Sequence, residues 1–326
     1  MSTETKITCQ AISTLWIRDI EVTRKASTSS KYRDYLGYIL PKFGNRAISS
    51  IANSDISDFC TDLQANGGKA GQGLSPKTVT EIFGVLKRIR KFAISRGHEV
   101  GYTEDCTTIR REKKKPRVLS PEEQNRLLNC LLHKRTIHGL GILLCLLTGI
   151  RLGELCALRW DDISLKERML NISKTRQRVR VPDGKKKTTV VTTSPKSECS
   201  KRMIPLPKWF CQRIQKFYKP GAYILTGRNG KPIDPRTMQN KFKAALKAAN
   251  IEDANFHALR HTFATNCVEK NMDAECLSEL LGHSSVVITL DRYVHPSMSI
   301  KRSFMEKVSA DIGKMIERAW KPKDVA

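Results

Sequence analysis

Apolar residues recur along most of this chain at spacings of three and four, the pattern of helices that bury one face. After a polar N-terminal stretch, Leu15, Ile17 and Ile20 open a first predicted helix. Tyr32, Tyr35, Leu36, Ile39 and Leu40 mark a second, which Pro41 and Gly44 are expected to end. Ser54-Asp55 lead into Ile56, Phe59 and Leu63, a third helix closed by Asn66-Gly67-Gly68. Past a glycine-rich loop, Ser75-Pro76 gives an N-cap and a first-turn proline to a long helix. That helix carries Val79, Ile82, Phe83, Leu86, Ile89 and Phe92, and Gly97 ends it.

Residues 103–117 lack apolar periodicity and hold Arg110-Arg111-Glu112-Lys113-Lys114-Lys115-Pro116-Arg117, a solvated charge run that reads as a basic linker. Ser120-Pro121-Glu122-Glu123 is a capping box, and the helix it opens carries Leu127, Leu128, Leu131 and Leu132. Residues 140–148 are apolar nearly all round, which predicts a central buried helix. From Met169 the period drops to two: Lys174, Arg176, Arg178 and Arg180 alternate with Thr175, Gln177, Val179 and Val181, so one strand face is basic. Pro182-Asp183-Gly184 is a turn, residues 188–193 form a β-branched strand and residues 202–206 a third, which together predict a three-stranded sheet. Helices return at 207–218 and, behind Asp234-Pro235, at 236–249, with a short strand expected at 223–227. A last amphipathic helix, 298–320, carries Ile300, Phe304, Val308, Ile312, Ile316 and Trp320. The fold class is therefore mainly α with a small antiparallel sheet. It divides into a four-helix unit (10–102), a linker (103–117) and a mixed α/β domain with a helical tail (118–326).

Composition changes the picture through charge. The formal net charge is +26, from 58 Lys+Arg against 32 Asp+Glu, far more positive than solubility needs, and a polyanion partner is the natural reason. Aromatic residues make up only 6%, which argues against a protein that binds single strands by base stacking. No apolar run reaches the length of a membrane span and no signal peptide is visible, so a cytoplasmic location is expected. The ten cysteines show no C-x-x-C pair with a matching histidine pair, so neither a zinc site nor a redox motif is indicated.

One stretch concentrates reactive side chains: His257-Ala258-Leu259-Arg260-His261, Leu281-Gly282-His283, and Asp291-Arg292-Tyr293-Val294-His295. An arginine can clamp phosphate oxygens, a histidine can move protons near neutral pH, and a tyrosine hydroxyl can attack as a nucleophile. Upstream, Thr148-Gly149-Ile150-Arg151-Leu152-Gly153-Glu154 ends the buried helix on an arginine between glycines, which places a charge needing an anion at a cleft floor. A structural Arg151–Glu154 ion pair is the alternative use of the same two residues.

This set resembles the tyrosine recombinase, or phage integrase, family, whose motifs are T-G-x-R-x-x-E, then P-K-T-x-x-S-x-R-x-I-P-L, then His-x-x-Arg, Leu-Gly-His and a tyrosine. Here the second motif reads Pro195-Lys196-Ser197 through Arg202-Met203-Ile204-Pro205-Leu206, with serine in place of threonine. The resemblance implies that Arg151 and Arg260 bind the scissile phosphate, Tyr293 attacks it and His257 accepts the tyrosine proton. It further implies that Lys196, with Lys201 as a weaker rival, protonates the leaving 5′-oxygen, that His283 donates a hydrogen bond to the phosphate, and that Glu154 holds the site in shape. His261, Arg292 and His295 receive no catalytic role.

By the same resemblance the first unit is a SAM-like core-binding domain, the 118–326 domain has the DNA breaking-rejoining fold, and the tail docks on a neighbouring protomer. The reaction would pass through a 3′-phosphotyrosyl enzyme and a Holliday junction, on a homo-tetramer holding double-stranded DNA recombination sites, without metal, ATP or other cofactor. The chain resembles the compact two-domain recombinases. A nucleoid-associated enzyme follows, with an accessory DNA-bending or directionality protein as a possible partner. The lysine-rich β-insertion favours a mobile-element integrase over a host Xer-like chromosome or plasmid dimer resolvase. A type IB topoisomerase, which relaxes one duplex with the same residues, and a DNA-binding protein that only keeps the fold are the rivals.

Overall fold

A computed structural model describes residues 6–68, 71–110, 116–180, 188–195, 197–227, 230–293 and 298–319. By internal contacts the chain divides into two units, Met1–Lys115 with Arg178–Val191, and Pro116–Gln177 with Thr192–Ala326.

In the first unit, α1 (Cys9–Thr23), α2 (Ala26–Phe43), α3 (Asn53–Asn66) and α4 (Pro76–Ser95) pack around one core. Ile12, Trp16, Ile39, Phe43, Ile56, Val79, Ile82 and Ile89 fill it. The Ser75 hydroxyl accepts from Thr78 N and Pro76 sits in the first turn of α4, the start that the sequence predicts. Helix α2 runs through Pro41 to Phe43 and ends at Gly44, the expected stop, as its C-cap. A proline so near the end breaks little of the hydrogen-bond ladder, and Phe43, wholly buried, holds the last turn against the core. One expectation is corrected: Leu15 lies on the outer side of α1, 42% exposed, while Cys9, Ile12, Ser13, Trp16 and Ile17 make the buried face. Of the α4 cations, Lys77, Arg88 and Lys91 are exposed. Arg90 instead donates from Nε to the Tyr102 carbonyl at 2.7 Å, which ties the helix to the segment after it.

In the second unit, α5 (Pro121–Lys134) begins with its capping box formed, Ser120 Oγ accepting from Glu123 N and Glu123 Oε2 from Ser120 N. Next come α6 (Ile137–Thr148), buried nearly all round, and α7 (Leu152–Ala157). Strands β1 (Ile163–Ser164), β2 (Met169–Ile172), β3 (Thr175–Arg180), β4 (Thr188–Thr193) and β5 (Arg202–Pro205) follow in the chain, with the end of β3 from Arg178 and β4 up to Val191 counted in the first unit. Helices α8 (Lys208–Ile214), α9 (Pro235–Ala248), α10 (Ala258–Glu269), α11 (Ala274–Leu281), α12 (Val286–Tyr293) and α13 (Met298–Ala319) complete it.

The strands do not form the single sheet predicted. β5 leaves the basic strands and pairs antiparallel with β2, Leu170 opposite Ile204 and Ile172 opposite Arg202, in a three-stranded sheet β1-β2-β5. β3 and β4 make a separate two-stranded ribbon. Burial explains the split: Leu170, Ile172 and Ile204 give β2 and β5 a common apolar face on the core, and the basic β3 has no such face to share. In the ribbon, Arg176 and Arg178 donate across to the Thr192 and Thr188 hydroxyls. Residues 223–227 are not a strand either; Tyr223 and Thr226 make isolated bridges to Arg159 and Pro232. On α13, Phe304, Val308, Ile312 and Ile316 stand exposed on one stripe. No helix among the described residues is long and apolar enough to cross a membrane.

The core of the second unit is tested at Phe242, which is fully buried and packs edge-on against Phe256 with ring centroids 5.2 Å apart. Phe242→Ala should lower the unfolding free energy by about 3–5 kcal/mol, read as a shift of the urea midpoint at unchanged slope.

Candidate active site

The site is assembled by the ends of helices. At the end of α6, Gly149 takes the left-handed conformation, φ 64°, and turns the chain into Ile150 and Arg151. A Cβ there would come within 2.5 Å of the Phe263 ring, so only glycine fits. The Arg151 backbone N–H then donates to Glu154 Oε2 at 2.9 Å and its Nη1 to Glu154 Oε1 at 2.8 Å, so the arginine and the first turn of α7 hold each other.

Helix α11 ends in the same way on Gly282, φ 64°, with His283 N donating back to Ser278 O at 3.1 Å. That cap leaves the last carbonyls of the helix without helical partners. Three consecutive ones each take an arginine. Leu280 O accepts from Arg202 Nε at 2.6 Å, Leu281 O from Arg260 Nη2 at 2.7 Å, and Gly282 O from Arg151 Nη2 at 3.1 Å. The negative end of the helix dipole adds to the attraction. Arg260 spends a second donor on Gly149 O at 2.8 Å, so its buried guanidinium bridges the C-termini of α6 and α11.

One carboxylate serves two of the three guanidinium groups. Glu154, buried to 2% exposure, accepts from Arg151 and also from Arg202 Nη2 at 2.9 Å. Burial alone would raise its pKa, but Arg202 and Arg151 outweigh that and hold the carboxyl below its ordinary range. Burial, with Arg151 beside it, pushes Arg260 down to about 9, still a cation at neutral pH. Among the described residues the cluster thus keeps positive charge that Glu154 does not balance, which an incoming anion would offset.

Tyr293, at the end of α12, is 8% exposed and sits against this cluster. Its hydroxyl lies 3.0 Å from His261 Nδ1, and Arg260 also reaches it. Burial raises the phenol pKa, and Arg260, Arg292 and Arg151 pull it back only in part, so the hydroxyl keeps its proton at neutral pH. The His283 ring stacks parallel to the Tyr293 ring with centroids 6.3 Å apart, and its Nδ1 is engaged by the buried Thr289 hydroxyl at 2.8 Å, which leaves Nε2 for an incoming group. His257 packs edge-on against His261, ring centroids 4.7 Å apart. Burial, then His261 and the arginines nearby, lowers His257 to about 4, and burial, then the arginines, lowers His283 to about 3, so both rings are neutral at pH 7.

Arg151, Glu154, Arg260, His283 and Tyr293 converge through the contacts above, and His257 joins them through His261. Lys196 lies outside the described residues. Its rival Lys201 is half exposed and paired with Glu198 at 3.0 Å. The Arg151–Glu154 ion pair, raised as an alternative to an anion site, is present within the cluster. Sequence reasoning passed over two participants. Arg202 has no task in the motif that contains it, yet its side chain is 6% exposed and anchored to Glu154. His261 has no role by the resemblance, yet it stands one turn after His257, the spacing that brings two side chains to one helix face, and touches both His257 and Tyr293. Among the described residues no group of three or more His, Cys, Asp or Glu is placed to hold a metal ion.

Three arginines, of which Arg202 and Arg260 are buried, gather beside a tyrosine hydroxyl and neutral histidines, which are the parts a phosphoryl transfer needs. Residues 117–299 match the model of the phage integrase family. The chain is 28% identical to a tyrosine recombinase XerC-like protein of Caldanaerobacter subterraneus subsp. tengcongensis, over 90% of this chain and 81% of that one. The Tn1549 transposon integrase bound to transposon right end DNA superposes with a TM-score of 0.74 at 23% identity, covering 93% of this chain and 100% of that one. Lambda integrase, from a tetramer bound to a Holliday junction, gives 0.67 at 18% identity, covering 90% and 80%. The chain belongs to the phage integrase family, the tyrosine recombinases, and is a DNA strand-transferring enzyme that recombines DNA at specific sites.

Glu154→Gln should cost about 3–5 kcal/mol of stability at pH 7, because it leaves two cations without their carboxylate. The folded carboxyl titrates below its unfolded value. Its contribution is therefore complete above the unfolded pKa of about 4.3 and is lost as pH falls through the folded value. Urea melts of wild type and variant should differ at neutral pH and converge in acid.

Proposed function

We propose that Tyr293 cleaves DNA by attacking a phosphodiester held by Arg151 and Arg260, leaving a 3′-phosphotyrosyl enzyme and a free 5′-hydroxyl. The observation that carries this reading is the placement of the Tyr293 hydroxyl, 3.0 Å from a histidine nitrogen and in reach of Arg260, beside a cluster with unbalanced positive charge. Arginine suits the task because its planar fork meets two phosphate oxygens at once. Preorganised cations act most strongly on the charge that builds on the equatorial oxygens in the transition state. His283 Nε2 donates to one of those oxygens, Glu154 fixes Arg151, and Lys196 protonates the leaving 5′-oxygen. The covalent bond conserves the phosphodiester's free energy, so a partner strand's 5′-hydroxyl rejoins the DNA without ATP.

Two such exchanges recombine two duplexes through a Holliday junction on a homo-tetramer, an assembly supported by the lambda integrase tetramer to which this fold is similar. The unit at 10–102 grips the duplex, the basic linker 103–117 tracks its phosphates, and the exposed apolar stripe of α13 docks on a neighbouring protomer. The likeness to a transposon integrase and the basic β3 strand support integration or excision of a mobile element in the cytoplasm. The XerC-like relative favours a second reading, resolution of chromosome or plasmid dimers.

Incubation with sheared DNA of the host genome, followed by SDS, should trap the wild-type protein on a recurrent sequence through a 3′-phosphate. Tyr293→Phe should bind that sequence with unchanged affinity in a gel shift and form no SDS-resistant adduct. No adduct from the wild type, or an adduct that survives in Tyr293→Phe, defeats the reading.

A further inference from the structure

The tyrosine hydroxyl faces a histidine outside the catalytic set that the family resemblance supplies. His261 Nδ1 stands 3.0 Å from the Tyr293 oxygen, with the two ring centroids 5.6 Å apart. His257, to which the resemblance gives the proton-acceptor role, packs its edge on the His261 ring at an interplanar angle of 90°. Both stand at the start of α10, His257 as the residue before its first turn and His261 one turn on, so His261 touches both His257 and the tyrosine.

We propose that His261 takes the phenolic proton of Tyr293 as the tyrosine attacks, with His257 as the positioning residue that sets the plane of the His261 ring. The proposal rests on the reading of Tyr293 as the nucleophile and adds the identity of its base. In the step, the Tyr293 O–H bond breaks and its proton passes to the lone pair on His261 Nδ1. The oxygen's electron pair forms the new bond to phosphorus, and the bond from phosphorus to the 5′-oxygen breaks. That oxygen leaves with a proton from another group. When a 5′-hydroxyl attacks in the second half, the proton on Nδ1 returns to the departing tyrosine.

The geometry meets the requirement for a general base, which must lie within about 2.6–3.2 Å of the oxygen it deprotonates. The charge around the ring keeps the base available. Arg260 on α10 and Arg292 on α12 stand near His261, and burial, then these two cations, lowers its pKa, so the imidazole is neutral at pH 7 with a free lone pair. The position of His261 one turn past His257 also explains why a His-x-x-Arg-His string serves this site: the arginine between them turns the other way, to Gly149 O and Leu281 O.

The test is single-turnover cleavage of a nicked duplex carrying the sequence recovered on Tyr293, by the full chain and by His261→Asn and His261→Phe. DNA binding by gel shift controls for folding, and where His261→Phe fails it the smaller polar change to asparagine carries the comparison. Asparagine can accept a hydrogen bond near the Nδ1 position but cannot take a proton. Both variants should slow adduct formation by about 100-fold or more. Replacing Tyr293 by 3-fluorotyrosine, whose hydroxyl is more acidic and leans less on a base, should recover part of the rate in His261→Asn. A 5′-bridging sulfur at the scissile bond, which leaves without protonation, should not. An asparagine variant with the wild-type rate, a phenylalanine variant that is faster, or a defect erased by the sulfur substrate each overturns the proposal. Absence of any adduct from the wild type is a separate result, which defeats Tyr293 as nucleophile and not His261 as its base.

Discussion

Three backbone carbonyls at the C-terminus of α11 hold the site together. Leu280, Leu281 and Gly282 turn their oxygens outward because the left-handed glycine ends the helix there, and each oxygen receives a different arginine. These arginines come from three distant parts of the chain: the turn after α6, the start of β5 and the first turns of α10. A helix end is a rigid partner of fixed polarity, and it binds cations without contributing a second carboxylate. It therefore fixes three guanidinium groups in relative position while Glu154, the one acid among them, leaves positive charge uncancelled. The Leu-Gly-His string thus has a structural task in its first two residues, whose carbonyls hold Arg260 and Arg151.

That arrangement sets the protonation of everything around it. Burial first, and then the charged groups around them, keeps His257 and His283 neutral. Stabilisation by the same cations does not overcome burial at Tyr293, whose hydroxyl keeps its proton in the free protein. A phosphate entering the cluster would offset the arginines' charge, and the tyrosine would then depend still more on a base within reach.

Much of this was legible in the sequence, for physical reasons. Helices announce themselves through periodic burial and caps, so α4, α5 and α9 start at the serines and the aspartate that the sequence marks. Elements whose definition depends on a distant partner were harder. The basic strand and Arg202–Pro205 have similar local patterns, and only the apolar faces of β2 and the core decide that β5 pairs elsewhere. Helix α2 passes Pro41 because Phe43 is anchored by residues far away in sequence. At the site, residue types and order pointed to Arg151, Arg260, His283 and Tyr293, whereas Arg202 and His261 emerged only from geometry. Nothing local distinguishes a basic residue anchored to Glu154 from one facing water, or one histidine of a His-x-x-x-His pair from the other.

The central claim is that the carbonyl-anchored arginines form the seat of the scissile phosphate with Tyr293 in line. The most direct measurement is a structure of the wild-type protein on its cleaved DNA site with vanadate bridging the ends. The account predicts vanadium bonded to the Tyr293 oxygen, and equatorial oxygens about 2.7–3.2 Å from the Arg151 and Arg260 nitrogens. The bonds of these arginines to Gly282 O and Leu281 O should persist. Equatorial oxygens held by other residues, or arginines that must leave the α11 carbonyls to reach them, would contradict it.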